Sequence, residues 1–286
     1  MENALEVRGI NKKYKHFRLK DVNITIPKGY LLGFIGANGA GKTTTIKSIL
    51  NLIRTDSGEV YIYGKKNTEL TREEKERIGV VMDRLMAPKN ISWKQLDNIM
   101  KNIYKSWDSG KFADMCMKAG LPEKGKIDTY SKGMEMKLAI ACAMSHDPWL
   151  LIMDEPTSGL DPMARGEVLD MLLEFLQDEN HSVLMSSHIT SDLEKVADYI
   201  TFIRNGEIIM SEEREEMLSK YALLKCSDEE LARIPHDAVV SHKKGKFGTE
   251  RLVIKDRIGD DEGLILDRAT IDDIMIFYNV RDEEDY

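Results

Sequence analysis

The segment Gly36-Ala37-Asn38-Gly39-Ala40-Gly41-Lys42-Thr43-Thr44 constrains this chain more than any other. It reads G-x-x-x-x-G-K-[ST], follows the apolar run Tyr30-Leu31-Leu32-Gly33-Phe34-Ile35 and precedes a helix expected to begin near Thr43. That strand-loop-helix order is the setting a phosphate-binding loop requires. Glycines let the backbone curl so that successive N–H groups point at one oxyanion, and the helix N-terminus adds partial positive charge. In this pattern Lys42 reaches the β- and γ-phosphates and the Thr43 hydroxyl ligates Mg²⁺. A bound nucleotide is implied; its chemistry must be read from the rest of the chain.

With 286 residues, 42% of them hydrophobic, the chain can bury a large core and form one big domain plus a smaller one. Its longest apolar runs, such as Trp149-Leu150-Leu151-Ile152-Met153, fall far short of a membrane span. Met1-Glu2-Asn3-Ala4-Leu5-Glu6 lacks the basic-then-apolar order of a secretory signal, so a soluble, cytosolic protein is expected. Cys116, Cys142 and Cys226 are widely spaced without any C-x-x-C, which argues against a disulfide or zinc framework and for buried free thiols. Residues 1–210 hold 29 Lys/Arg against 29 Asp/Glu, whereas residues 211–286 hold 12 against 20, so the tail supplies the whole net charge of −8. A neutral core with an acidic tail argues against general nucleic-acid affinity, which needs a basic face.

Leu5-Glu6-Val7 and Val22-Asn23-Ile24-Thr25-Ile26 alternate as half-exposed strands do, with the basic turn Lys12-Lys13-Tyr14-Lys15-His16-Phe17 between them. The spacing then predicts a helix over 44–53, strands at Gly58–Gly64 and Ile78–Met82, and helical texture from Arg84 to about Met144 with Leu96, Ile99, Met100 and Ile103 on one face. A buried strand Leu150–Met153, a helix Pro162–Gln177, a strand Ser182–Ser186, a helix Ser191–Ala197 and a strand Tyr199–Ile203 follow. Such alternation implies a largely parallel sheet covered on both faces, interrupted by a helical insertion at about 84–144. Beyond a boundary near 211, the pattern suggests a charged helix Glu212–Lys220, a hairpin of Ala238–Ser241 with Arg251–Ile254 around Lys243-Lys244-Gly245-Lys246, a helix Ile271–Phe277 and a frayed end from Arg281 to Tyr286.

Asp154 and Glu155 end the strand Leu150–Met153, and parallel sheets bind ligands at such carboxyl ends. Asp154 is placed to hold Mg²⁺, and Glu155 to polarise a water attacking the γ-phosphate. The order Tyr14, Gly36–Thr44, Tyr130-Ser131-Lys132-Gly133-Met134, Met153-Asp154-Glu155-Pro156-Thr157-Ser158-Gly159-Leu160-Asp161-Pro162 and Ser186-Ser187-His188 resembles the nucleotide-binding subunit of an ABC (ATP-binding cassette) transporter, exporter-like, over residues 1–210. The resemblance implies a P-loop NTPase core of the ABC ATPase type, in the α/β class: a parallel sheet plus an antiparallel β subdomain, with a small α+β C-terminal extension at 211–286. It also implies two cassettes dimerised head to tail with ATP and Mg²⁺ between them, a second subunit of the same or a related chain, and a separate transmembrane permease, with this chain cytoplasmic and peripheral on the inner face of the cell membrane. By the same resemblance Tyr14 stacks on adenine, with Phe17 as a competing stacker. Ser131 and Gly133 reach the γ-phosphate held by the opposite protomer, Asp161 lies at the dimer seam, and His188 contacts the γ-phosphate and orients Glu155.

Two positions depart from the resembled pattern. Asp83 stands where a glutamine that touches Mg²⁺ is usual; a carboxylate still ligates Mg²⁺ but repels the γ-phosphate. The signature reads Y-S-K-G-M, and Lys132 either adds positive charge near the phosphate or faces solvent. The leading expectation is an ATP-hydrolysing transporter subunit. A cassette acting on ribosomes or nucleic acid without a membrane partner, and a binding-only ATP sensor, are the rivals.

Overall fold

The computed structural model describes residues 2–226, 228–231, 234–245, 248–259 and 264–280. They gather into two compact units, Met1–Ser211 and Glu212–Tyr286. In chain order the strands of the first unit are β1 (Asn3–Lys13), β2 (Arg18–Pro27), β3 (Leu31–Ile35), β4 (Ser57–Ile62), β5 (Lys65–Lys66), β6 (Ile78–Val81), β7 (Leu150–Asp154), β8 (Ser182–Ser187), β9 (Tyr199–Arg204) and β10 (Glu207–Glu213). Its helices are α1 (Lys42–Ile49), α2 (Arg72–Lys75), α3 (Trp93–Ile103), α4 (Ser109–Lys118), α5 (Lys132–Met144), α6 (Pro162–Phe175) and α7 (Thr190–Val196).

Two sheets share one core. The larger has the order β10-β9-β3-β8-β7-β6, with β3 parallel to β8 and β9, and β7 parallel to β6 and β8. Every residue of β3, β7 and β8 is buried, as expected of strands covered on both faces; β3 and the first four residues of β7 are apolar without alternation, and β8 carries an apolar centre, Val183-Leu184-Met185, between serines. The second sheet, β2-β1-β4-β5, is antiparallel. In β2 buried and exposed residues alternate, and its Val22, Ile24 and Ile26 pack with Leu32, Phe34, Ile152 and Leu184 of the larger sheet and Ile46 of α1.

Between β6 and β7 lies the helical segment, with its own core of Trp93, Leu96, Phe112, Cys116, Ile127, Leu138 and Cys142. Of the apolar face expected for α3, Leu96 is buried and Met100 packs against this core, while Ile99 and Ile103 are exposed and Trp93 is buried in their stead. Trp93 joins the inward side because, with Leu96 and Met100, it forms an i, i+3, i+7 stripe, and its ring meets Phe112 of α4 edge-on at 6.0 Å. Cys116 and Cys142 are buried free thiols, and burial raises both pKa values, that of Cys116 to about 12; Cys226 is only half-buried.

The expected helix over 44–53 is instead α1, which starts at Lys42 and stops at Ile49, because Asn51 turns left-handed at φ 53°. In the second unit, β11 (Tyr221–Lys225), β12 (Val239–Gly245), β13 (Gly248–Ile254) and β14 (Ile265–Arg268) form an antiparallel sheet of order β12-β13-β11-β14. The hairpin pairs Val239 with Val253, and α8 (Arg214–Lys220), α9 (Asp228–Leu231) and α10 (Ile271–Val280) complete the unit. The helix expected from Glu212 begins only at Arg214, since Glu212 and Glu213 continue β10. Lys246 and the end from Arg281 to Tyr286 lie outside the described residues.

His146, 1% exposed, stacks face to face on Tyr104 at 4.2 Å, and its Nδ1–H donates to the Glu76 carbonyl at 2.8 Å. Burial lowers its pKa, so below about pH 6.5 the unfolded chain takes up a proton that the folded chain resists, and stability is lost as pH falls. Thermal unfolding of His146→Gln should show a lower Tm than wild type at pH 7.5 and a smaller gap at pH 5.5. An equal gap at both pH values would mean that His146 does not carry this dependence.

Candidate active site

The carboxyl ends of β3, β7 and β8 bring residues distant in sequence to one edge of the large sheet. The loop after β3 wraps into α1, and Gly41, the N-cap at φ 120°, supplies a conformation that a side chain would strain and no capping group. By contrast, α3, α5 and α6 are capped by Ser92, Ser131 and Asp161. The start of α1 therefore presents main-chain N–H groups with no side-chain acceptor, the arrangement that suits an oxyanion.

Lys42 is 5% exposed, and its Nζ donates to the Gly36 carbonyl at 2.5 Å and, more weakly, to that of Ala37 at 3.4 Å. The same Nζ lies 3.0 Å from Glu155 Oε1. That contact is an ion pair without hydrogen-bond alignment, for Oε1 is buried and has no hydrogen-bond partner. Burying a lone ammonium would cost several kcal/mol, on the order of the penalty for any ion moved out of water, so the carbonyls and carboxylate are what keep Lys42 in place.

One strand, β8, separates β3 from β7, and Asp154 sits opposite Ser186 in register. Asp154, 4% exposed, accepts from Thr43 Oγ1 at 2.7 Å and from Ser186 Oγ at 2.6 Å. Ser186 Oγ also accepts from the Glu155 N–H at 3.0 Å. Glu155 adopts φ 53°, a left-handed conformation that non-glycine residues rarely take and that here turns its side chain away from the strand direction. Its Oε2 accepts from His188 Nδ1 at 2.6 Å and faces the His188 N–H at 3.3 Å.

Lys42, Thr43, Asp154, Glu155 and His188 are thus brought together. A cavity of about 710 Å³ opens beside them, lined by Thr43, Lys47, Asp83, Lys132, Asp154 and Glu155, among others. Asp83 follows β6 and borders this cavity, but its side chain is 72% exposed and its nearest charge is Arg84 at 4.0 Å. Tyr14 is 44% exposed, whereas Phe17 is packed against the core. Ser131 Oγ accepts from the Met134 N–H at 3.2 Å as the cap of α5. At Gly133 a Cβ would lie 2.9 Å from Ala164 Cβ, so glycine there lets α5 and α6 approach. Asp161 accepts from the N–H groups of Ala164 and Met163, which lower its pKa. Lys132 is exposed and borders the same cavity, and its Nζ donates to the Ser158 carbonyl at 2.6 Å, a partner that neither expectation named.

Sequence reasoning missed Ser186 as the bridge between the two acids. Its only signal was its place at the carboxyl end of the strand next to Asp154. The group of oxygens around Thr43 and Asp154 fits Mg²⁺, which takes hard oxygen ligands and only one or two carboxylates from protein. Among the described residues no cluster of three or more His, Cys, Asp or Glu side chains forms a self-sufficient metal cage, and no helix is long and apolar enough to cross a membrane.

Residues 19–158 match the family described as ABC transporter. The uncharacterized ABC transporter ATP-binding protein YhcH of Bacillus subtilis (strain 168) is 33% identical over 213 residues, covering 73% of this chain and 70% of its own. The lantibiotic transport ATP-binding protein SrtF of Streptococcus pyogenes is 34% identical over 212 residues, covering 73% and 90%. Among solved structures, the ATP-binding cassette MJ0796, dimeric in a post-hydrolysis state with ADP and Pi, superposes with a TM-score of 0.64 at 24% identity over 73% of this chain and 98% of that one. The phosphate-binding edge assembled by β3, β7 and β8 is therefore that of an ATPase cassette, and the chain belongs to the ABC transporter ATP-binding family.

Proposed function

We propose that this chain binds and hydrolyses ATP as the energy-supplying subunit of a transporter whose membrane-spanning subunit is a separate polypeptide. The observation that carries the reading is the cluster of Lys42, Thr43, Asp154, Glu155 and His188 beside an uncapped helix start. A phosphate entering the loop replaces the Gly36 and Ala37 carbonyls as the partner of Lys42 and takes the N–H groups of Gly39 to Thr44. Thr43 and Asp154 would hold Mg²⁺, which would supply charge neutralisation on the phosphates. Asp83 borders the same cavity and would be a further acid available to the ion.

Glu155 is the general base. His188 fixes one carboxylate oxygen and leaves Oε1 to receive the proton of the attacking water once Lys42 turns to the phosphate. In the reading adopted here two chains, identical or closely related, face each other head to tail, and Ser131 and Gly133 at the start of α5 meet the γ-phosphate held by the partner. Asp161 lies at the seam. The dimeric state of the similar MJ0796 cassette supports this arrangement. Residues 1–210 make the nucleotide-binding domain, with the helical segment 84–144 inserted, and 211–286 an accessory domain. Exposed Met86, Ile99 and Ile103, on and beside the helical segment, offer apolar contacts to a permease at the inner face of the membrane. The transport names of the relatives support that partner and not a nucleic acid.

Steady-state ATPase measurements test the reading. Glu155→Gln is expected to lose turnover by about a hundred- to ten-thousand-fold while retaining ATP, the loss typical of a missing general base. Equal turnover would remove Glu155 from the mechanism. Tyr14→Ala should raise the Kd for ATP by about 5- to 150-fold, the equivalent of one lost stacking contact, with Tm unchanged. Phe17→Ala should instead lower Tm, because Phe17 packs against the core. Unchanged ATP affinity in Tyr14→Ala would exclude stacking by Tyr14.

A further inference from the structure

Lys132 occupies a place in the fold that its position in the signature segment does not explain. Its Nζ donates to the Ser158 carbonyl at 2.6 Å, and a Cβ on Gly159 would lie only 2.8 Å from that nitrogen. The lysine head therefore fills the space that Gly159, at φ 68°, leaves open. Ser158 is tied in turn to the base, since its N–H donates to the Glu155 carbonyl at 3.2 Å. The turn that follows ends at Asp161, which caps α6, and α6 touches α5 where Gly133 approaches Ala164. One turn further along α5, Glu135 takes Lys89 at 2.8 Å, from the segment after β6. Lys132 and Glu135 both line the cavity that Asp154 and Glu155 border.

We propose that Lys132 is a positioning residue: it fastens the Glu155–Asp161 turn to the first turn of α5 of the same chain, so that Glu155 and Ser131 shift as one body. A main-chain carbonyl is the right acceptor for such a clamp, because it holds the turn whatever side chain stands at 158. The charge of Lys132 is spent on Ser158 and not on nucleotide, so its removal acts on the rate of the chemical cycle and not on ATP affinity. This inference rests on the ATPase reading above.

The test is steady-state hydrolysis of Mg-ATP by the full chain, with Glu155→Gln as reference. Lys132→Met should lower kcat about tenfold with KM for ATP changed less than about twofold, the signature of an interaction used in the transition state. Tm should stay that of wild type, because Lys132 is exposed, and Lys132→Arg should restore most of kcat. Gly159→Ala should also slow turnover, and should add less in the Lys132→Met background than alone. Hydrolysis that Glu155→Gln abolishes but Lys132→Met leaves unchanged would overturn the clamp alone. So would a raised KM at unchanged kcat, strictly additive losses with Gly159→Ala, or an arginine variant as slow as the methionine one. Absence of Mg-ATP hydrolysis by wild type would overturn the ATPase reading and the clamp with it.

Discussion

The hydrogen bond from Thr43 Oγ1 to Asp154 Oδ2, 2.7 Å long between residues 111 apart, is the constraint on which the rest of the site depends. It requires that β3 and β7 lie in one sheet with a single strand between them, and that the glycine loop and the acidic strand end at the same edge. The polar groups of that region then form a chain of contacts: Ser186 spans Asp154 and the Glu155 N–H, His188 holds one oxygen of Glu155, and the other oxygen faces Lys42 as an ion pair without a hydrogen bond. Two buried ions, Lys42 and Asp154, are tolerated because each has hydrogen-bond partners, and an unpartnered ion at the same depth would be costly.

The same network shows how the chemistry is poised. Glu155 is held in a strained left-handed conformation, with one oxygen fixed and the other lacking a hydrogen bond. Lys42 is drawn back on main-chain carbonyls. Phosphoryl transfer asks little covalent chemistry of a protein and much placing of charge. In the proposed mechanism an incoming phosphate would compete for Lys42 and release Glu155 from the ion pair, which would tie activation of the base to nucleotide binding.

Much of this was legible in the chain. The glycine loop, the apolar runs of β3, β7 and β8 and the acids at 154 and 155 carry strong local signals, because a parallel strand buried on both faces has few residue choices. The helix bounds and faces were less readable: α1 is cut short by a left-handed Asn51, and the inward side of α3 is set by the packing of Trp93 on Phe112 of α4. Ser186 and Lys132 act through partners remote in sequence, a register pair and a main-chain carbonyl, and no periodicity reports such contacts. In the second unit the hairpin of β12 and β13 was foreseen, whereas β11 and β14 went unseen, since they are short and find their pairing only in the assembled sheet.

The head-to-tail pairing of two cassettes is the central claim, and the most direct measurement is a structure of the turnover-blocked full chain saturated with Mg-ATP. Ser131 Oγ of one protomer is expected within about 3 Å, hydrogen-bond distance, of the γ-phosphate that the partner holds on its glycine loop. A monomer, or a dimer in which Ser131 lies far from any nucleotide, would contradict it.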